Sequence, residues 1–248
     1  MASLVSFDRK KLQTRPGITG LDEAGRGAFC GPVVAAAVAF EKGFYEDKAS
    51  LRKLRGANDS KKLSAEARQE LRQALQDLEH AGKLRTFWAE SSVLEIAAHN
   101  ILGATRLAMS RCLSQLAQGD WKESYGLAGT EDTFFDLQPS AHFLVLIDGL
   151  PLRPFTWQHE AIKAGDGRSL AIACASIIAK VERDQLMTEL HESYPEYGFA
   201  THKGYGTPEH IAALQRLGPC PHHRHLFIQK FIQRTDGTPT ESPELPFN

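Results

Sequence analysis

Asp22 and Glu23 stand side by side at the end of an apolar run, Ile18 to Glu23, and Ala24-Gly25-Arg26-Gly27 follows them. Two adjacent carboxyls at the mouth of a strand are costly unless something positive compensates them. Neighbours on a strand point to opposite faces, so the pair shares one face only if the chain bends. Gly25 and Gly27 allow such a bend and a close approach of backbone to ligand. A helix cap or a surface ion pair is the competing reading, and spacing does not separate the two. Asp148 ends a second apolar run, LVLID, just before Gly149. A carboxylate at the C-terminal mouth of a strand lies where ligand sites in open α/β sheets collect; an Asp-Gly turn is the plain alternative. Asp166, in KAGDGRS, precedes a long helical stretch, either as a further site acid or as a carboxylate beside a helix N-terminus. Acids that converge on one point call for hard divalent cations, and Mg²⁺ takes a few carboxylates plus phosphate oxygens. Two such ions, about 3.5–4 Å apart, activate water and stabilise the leaving oxygen of a phosphodiester.

Positive charge is concentrated in Arg52-Lys53-Leu54-Arg55-Gly56-Ala57-Asn58-Asp59-Ser60-Lys61-Lys62, five cations against one acid. Such a run is a solvated loop or a patch that tracks phosphates. Tyr205, between glycines in His202-Lys203-Gly204-Tyr205-Gly206, can stack on a sugar or base, or anchor a turn. Other chemistries are disfavoured. Gly25, Gly27 and Gly31 give GxGxxxG followed by a strand, which is not the dinucleotide fingerprint, and neither GxxxxGK[ST] nor GxSxG occurs. Cys220, His222, His223 and His225 crowd six residues, but no second ligand pair at finger spacing accompanies them. No zinc finger is expected, and the histidines are given cationic or hydrogen-bonding surface roles. The four cysteines (Cys30, Cys112, Cys174, Cys220) form no CxxC pair and suit a reducing cytoplasm.

The elements that must position these residues can be read from local patterns. Ile18–Glu23 and Val33–Phe40 are adjacent, antiparallel strands across a short glycine-containing connection. Ser64 caps an amphipathic helix to His80, with Leu71, Leu75 and Leu78 at helical spacing. Leu84–Ala89 is a third strand, and Ser92 with Glu95 is a capping box opening a helix to Leu116. Phe143–Asp148 is a strand and Ser169–His191 a helix. Thr207-Pro208-Glu209 starts another helix, which Gly218 ends. Trp121 and Trp157 are packing residues. The order implies an α/β fold, a mixed sheet flanked by helices with a helical C-terminal region. One catalytic domain is expected over 1–234. It carries an acidic surface insertion at 119–141 (five acids, one lysine) and is followed by a disordered tail at 235–248. With 248 residues, 42% hydrophobic and 24% charged, the chain has an ordinary globular composition. A net charge of −1 provides no global basic field, so a nucleic acid would be held by a local patch. The apolar run Val33–Phe40 is too short to span a bilayer, and MASLVSFDRKK has no signal-peptide core. The expected location is the cytoplasm.

Taken in order, GLDEAGRG, GP with its apolar strand, NDSKKL, VLIDG, KAGDGRS with ASIIAKVERD, YGFATHKGYGTPEH and HHR resemble ribonuclease HII, the type 2 ribonuclease H family. The resemblance runs from about Gly17 to Phe227, with Ala28-Phe29-Cys30 an unusual variant of the loop after GRG. It implies a ribonuclease H-like core and Mg²⁺- or Mn²⁺-dependent cleavage of RNA in RNA–DNA hybrids through two metal ions. It also implies a cut 5′ to a single ribonucleotide in duplex DNA, giving 3′-hydroxyl and 5′-phosphate ends, in ribonucleotide excision and primer removal. By motif, Asp22, Glu23, Asp148 and Asp166 are the metal-binding catalytic acids. Gly25, Arg26 and Gly27 read the ribose 2′-hydroxyl, the group that tells RNA from DNA. Tyr205 packs on the following deoxyribose, and Lys61 and Lys62 lie on the phosphate side. A monomer is expected. Glu244-Leu245-Pro246-Phe247 faintly resembles a sliding-clamp-binding peptide, with a floppy terminus the plainer reading.

Overall fold

The computed structural model describes residues 2–58, 60–118 and 142–232. The insertion expected at 119–141, the tail expected at 235–248, Trp121 and the side chain of Lys61 lie outside the described residues.

β1 (Gly17–Ala24) and β2 (Val33–Glu41) pair antiparallel, in register from Gly17 opposite Glu41 to Ala24 opposite Val34. β3 (Arg85–Ser91) extends the sheet antiparallel to β2. β4 (Leu144–Asp148) and β5 (Glu160–Ile162) add parallel strands on the other side of β1. The strand order is β3-β2-β1-β4-β5, so the sheet is mixed, as expected. β2 reads VVAAAVAF without alternation because both of its faces are covered, and every residue from Val33 to Phe40 is fully buried.

The longest of the helices on one face is α5 (Leu170–Ser193), with α1 (Ala2–Leu12) and α3 (Ala65–His80) beside it. This layer packs on Ile18, Ala36, Val38, Phe40, Leu144 and Leu146. Leu71, Leu75 and Leu78 of α3 are buried as their spacing predicts, each contributing about 1.5–3 kcal/mol. Gly20 lets α5 cross β1 closely: a Cβ there would lie 2.1 Å from the Ala171 carbonyl carbon. The opposite face is covered by α4 (Val93–Leu116), packed on Leu21, Ala35, Ala37, Ala39, Val145 and Ile147. Trp157 joins that layer and donates from Nε1 to Ser110 Oγ at 3.3 Å.

Local capping chemistry sets the helix starts. Ser64 caps α3, Ser92 and Glu95 form the reciprocal box on α4, and Ser169 caps α5. Thr207 caps α7 (Pro208–Leu217), which ends at Gly218 with φ +76°. Two short helices, α6 (Phe199–His202) and α8 (His225–Ile228), complete a C-terminal lobe. Met187, Tyr197, Phe199, Ala213 and Cys220 bury that lobe against Cys30 in the β1–β2 connection. The first part of the basic run is helical rather than loop: Asp47 caps α2 (Lys48–Lys53), which ends on Arg52 and Lys53. Among the described residues, no helix is long and apolar enough to cross a membrane.

Candidate active site

Three of the acids, Asp22, Glu23 and Asp148, lie at the C-terminal ends of the two central parallel strands. Leu21 of β1 pairs with Ile147 of β4, so Asp22 and Asp148 are next along each strand. The alternation of the register sets their faces. Asp22 lies opposite Ala36, on the α5 side of the sheet, and Glu23 lies opposite Ala35, on the α4 side. Asp148 pairs with Ile162, again on the α5 side. The bend allowed by the glycines falls after the pair rather than within it: β1 runs on through Ala24 and turns at Gly25, where φ is +92°.

Asp22 is only 6% exposed. Burial, then the charges of Glu23 and Asp148, push its pKa well above the ordinary carboxylate range; hydrogen bonds from Ser176 and the Glu23 N–H oppose this. The Glu23 N–H donates to Asp22 Oδ1 at 2.7 Å. Asp148 Oδ1 accepts the Gly165 N–H at 2.5 Å, which fastens β4 to the turn Gly165–Gly167. Asp166 sits in that turn, one residue from Asp148's partner, and accepts the Gly167 N–H at 2.9 Å. Glu23 also accepts from Arg26 Nη1 at 2.9 Å. A buried acid between two like charges, with hard oxygen donors around it, is a donor set suited to a divalent cation.

The Gly25-Arg26-Gly27 turn is held from below by two buried arginines that sequence reasoning missed. Arg224 donates from Nη1 to the Gly25 and Arg26 carbonyls at 2.7 and 3.0 Å, and from Nε to Gly31 O at 2.9 Å. Arg183 donates to the carbonyls of Pro32, Lys203 and Cys30 at 3.2, 2.9 and 3.2 Å. A Cβ on Gly25 would lie 1.9 Å from Arg183 Nε, whereas one on Gly27 would meet nothing within 4 Å. The turn therefore has a packed underside and an open top at Gly27. The guanidinium of Arg183 also lies 5.2 Å from the Tyr205 ring centroid, and Tyr205 keeps 37% of its surface exposed.

Ser176 links the acids to the basic segment. It donates to Asp22, and its Oγ lies 2.8 Å from Ser60 Oγ. Ser60 opens the turn Ser60–Lys62, so the lysine pair is anchored two hydrogen bonds from Asp22, through Ser176. The Lys62 side chain is exposed.

The histidine assignment needs correction. His222 is exposed, but His223 is 5% exposed and bonded to His210 through their Nε2 atoms at 3.0 Å. The reason is an isolated antiparallel bridge between Cys30 and His223, which draws the segment beneath the β1–β2 connection. The cysteines are not all apart either. Among the described residues, one set of three ligand atoms lies within 4.8 Å of one another: Cys30, Cys220 and His223. The four acids are more widely spread than that.

Comparison with known proteins gives consistent results. A family model described as ribonuclease HII matches residues 19–124 and 150–230. That match skips Asp148, whose place in the site rests on its register beside Asp22. The ribonuclease HII of Ruminiclostridium cellulolyticum is 38% identical over 94% of this chain and 78% of its own length. That of Thiobacillus denitrificans is 42% identical over 85% of this chain and 87% of its own. A chain from the structure of the PCNA:RNase HII complex from Archaeoglobus fulgidus superposes with a TM-score of 0.62 at 25% identity, covering 88% of this chain and 97% of that one. Ribonuclease H2 from Pyrococcus horikoshii, at 20% identity and a TM-score of 0.58, covers 87% of this chain and 97% of its own and supports the fold.

Proposed function

The chain belongs to the ribonuclease HII family and is an endoribonuclease H, a hydrolase cleaving RNA in RNA–DNA hybrids; from that premise we propose that it also cuts 5′ to a single ribonucleotide embedded in duplex DNA. The products are a 3′-hydroxyl and a 5′-phosphate, and the enzyme serves ribonucleotide excision and primer removal in the cytoplasm. The observation that supports this reading is the placing of buried Asp22 and its neighbour Asp148 beside a braced glycine turn with an open top.

Asp22, Glu23, Asp148 and Asp166 would hold Mg²⁺ or Mn²⁺; burial, then the charges of Glu23 and Asp148, raise the proton affinity of Asp22. When bound, such cations neutralise the phosphate and lower the pKa of water. The remaining work falls to the chain. Asp148 is oriented by the Gly165 N–H, and Asp22 by Ser176 and the Glu23 N–H. Glu23 is steadied by Arg26, which couples the acid pair to the reading turn. The backbone of Gly25-Arg26-Gly27 meets the 2′-hydroxyl, where the absence of a Cβ at Gly27 leaves room for a ribose. Tyr205 packs on the next deoxyribose, its ring backed by Arg183. Lys61 and Lys62 meet phosphates. Water then attacks the phosphorus in line, and the 3′-oxygen of the upstream nucleotide leaves.

Asp148→Asn tests the assignment. The variant should keep the fold and lose at least about 10³-fold in turnover, on the order of 4 kcal/mol of transition-state stabilisation. Near-normal cleavage by a folded variant would remove Asp148 from the mechanism. The Archaeoglobus relative is described in complex with PCNA, and a sliding clamp is proposed as a partner here through Glu244–Phe247, outside the described residues. A pull-down that loses the clamp when the tail is deleted supports this, and unchanged capture refutes it.

A further inference from the structure

We propose that Cys30, Cys220 and His223 form a second metal site, separate from the catalytic acids, that takes one zinc ion and staples the reading turn to the C-terminal lobe. The three ligand atoms lie within 4.8 Å of one another, and all three residues are buried. Tetrahedral zinc has Zn–S near 2.3 Å and Zn–N near 2.0–2.1 Å, so ligand atoms sit about 3.5–3.8 Å apart. The site needs to tighten by at most about 1.3 Å.

The backbone already brings the ligands together. Cys30 and His223 are cross-strand neighbours in the isolated bridge, flanked by Gly31 N–H to His222 O at 2.9 Å and Arg224 N–H to Phe29 O at 2.7 Å. Cys220 and His223 are three residues apart in one turn, closed by His223 N–H to Cys220 O at 3.0 Å. That C-x-x-H chelate spacing suits one side of a zinc site.

The hydrogen-bond chain fixes which nitrogen is available. His210 Nδ1 lies 2.9 Å from Tyr205 O, a carbonyl that can only accept, so the hydrogen is on Nδ1. The Cys220 N–H, which can only donate, points at His223 Nδ1, so that nitrogen bears the lone pair and the ring turns its other nitrogen to His210 Nε2. The His223 Nε2, 3.0 Å away, must then carry the hydrogen and donate it. Zinc would take the Nδ1 lone pair in place of the Cys220 N–H, which donates to it at 3.0 Å. A ligating histidine whose other N–H is anchored by a second residue is the usual support around a zinc ion. Here the anchor leads to the backbone of Tyr205. Arg224 adjoins His223 and holds the Gly25 and Arg26 carbonyls, so the ion would fix the turn and the tyrosine through one staple.

The test uses the full chain, grown with added zinc, purified without chelator and kept in Mg²⁺ so that the acids are served separately. Elemental analysis should find one zinc per chain, falling at least tenfold in Cys30→Ser and Cys220→Ser and unchanged in Cys112→Ser, whose thiol is buried under the other face of the sheet. Cobalt exchanged into the wild type should give a sulfur-to-metal charge-transfer band that Cys220→Ser lacks. If the serine variants do not fold, release of zinc by an organomercurial titrating two thiols per ion gives the same answer on the wild type. Wild-type protein that takes up neither zinc nor cobalt overturns the proposal. So does zinc that persists in folded Cys220→Ser, or a Cys30–Cys220 disulfide found by peptide mass in freshly prepared protein.

Discussion

Arg224→Lys probes the link between the C-terminal lobe and the Gly25-Arg26-Gly27 turn. Arg224 is 2% exposed and makes three charge-assisted bonds, to the carbonyls of Gly25, Arg26 and Gly31. Lysine keeps the charge and much of the length but loses the planar fork. It can serve one of these carbonyls well, which leaves about two of them in a dry interior. A buried polar group without its partner costs about 1–3 kcal/mol. The variant should therefore lose about 2–4 kcal/mol of stability, read as an earlier urea midpoint at unchanged slope. Activity should change in a way that instability alone does not produce. Under conditions where both proteins are folded, the variant's kcat/KM on a duplex with one ribonucleotide should fall about tenfold or more, equivalent to about 1.4 kcal/mol per decade. Its rate on a long hybrid, where many registers are available, should fall less. Wild-type stability together with a wild-type ratio between the two substrates would refute the idea that Arg224 sets the turn.

Two other outcomes follow from buried acids. Asp22→Asn removes a carboxylate that burial, Glu23 and Asp148 all disfavour, so in metal-free buffer near pH 7 it should raise stability by about 1 kcal/mol while abolishing turnover; a thermal melt showing clear destabilisation would contradict the charge argument. Asp8 is fully buried, accepts from Tyr45 Oη and the Ala171 N–H, and has its pKa pushed up to about 6 by burial. Its folded pKa exceeds the unfolded value, so its contribution is fully present below the unfolded pKa and is lost as pH rises through 6. Asp8→Asn should thus gain about 2–3 kcal/mol on the wild type between pH 4 and pH 7, and urea curves whose difference does not change with pH would sink this.

Much of the fold is legible in the sequence because its signals are local. A serine three residues before a glutamate starts α4, and a threonine before a proline starts α7. α1 escapes because Asp8 interrupts its buried stripe of Leu4, Val5 and Leu12 and finds its partners far away, in Tyr45 and Ala171. β5 has three residues, too few for alternation to register. α2 is hidden by its own charge, since its cap, Asp47, lies just outside the basic run. At the site, the acids are readable because each ends an apolar strand or lies beside a glycine. Arg183 and Arg224 are not, because their partners are backbone carbonyls, which leave no mark on residue type. The approach of Cys30 to Cys220 depends on two loops meeting across the fold, and no spacing rule spans them.

The most direct test of the central claim is cleavage of an end-labelled DNA duplex carrying one ribonucleotide, in Mg²⁺ and again in Mn²⁺, beside a matched all-DNA duplex. A single cut on the 5′ side of the ribonucleotide, with a 3′-hydroxyl end and an intact control, is the predicted result. Equal cutting of both duplexes would contradict readout of the 2′-hydroxyl by Gly25-Arg26-Gly27, and no cutting of either would contradict single-ribonucleotide cleavage by this site.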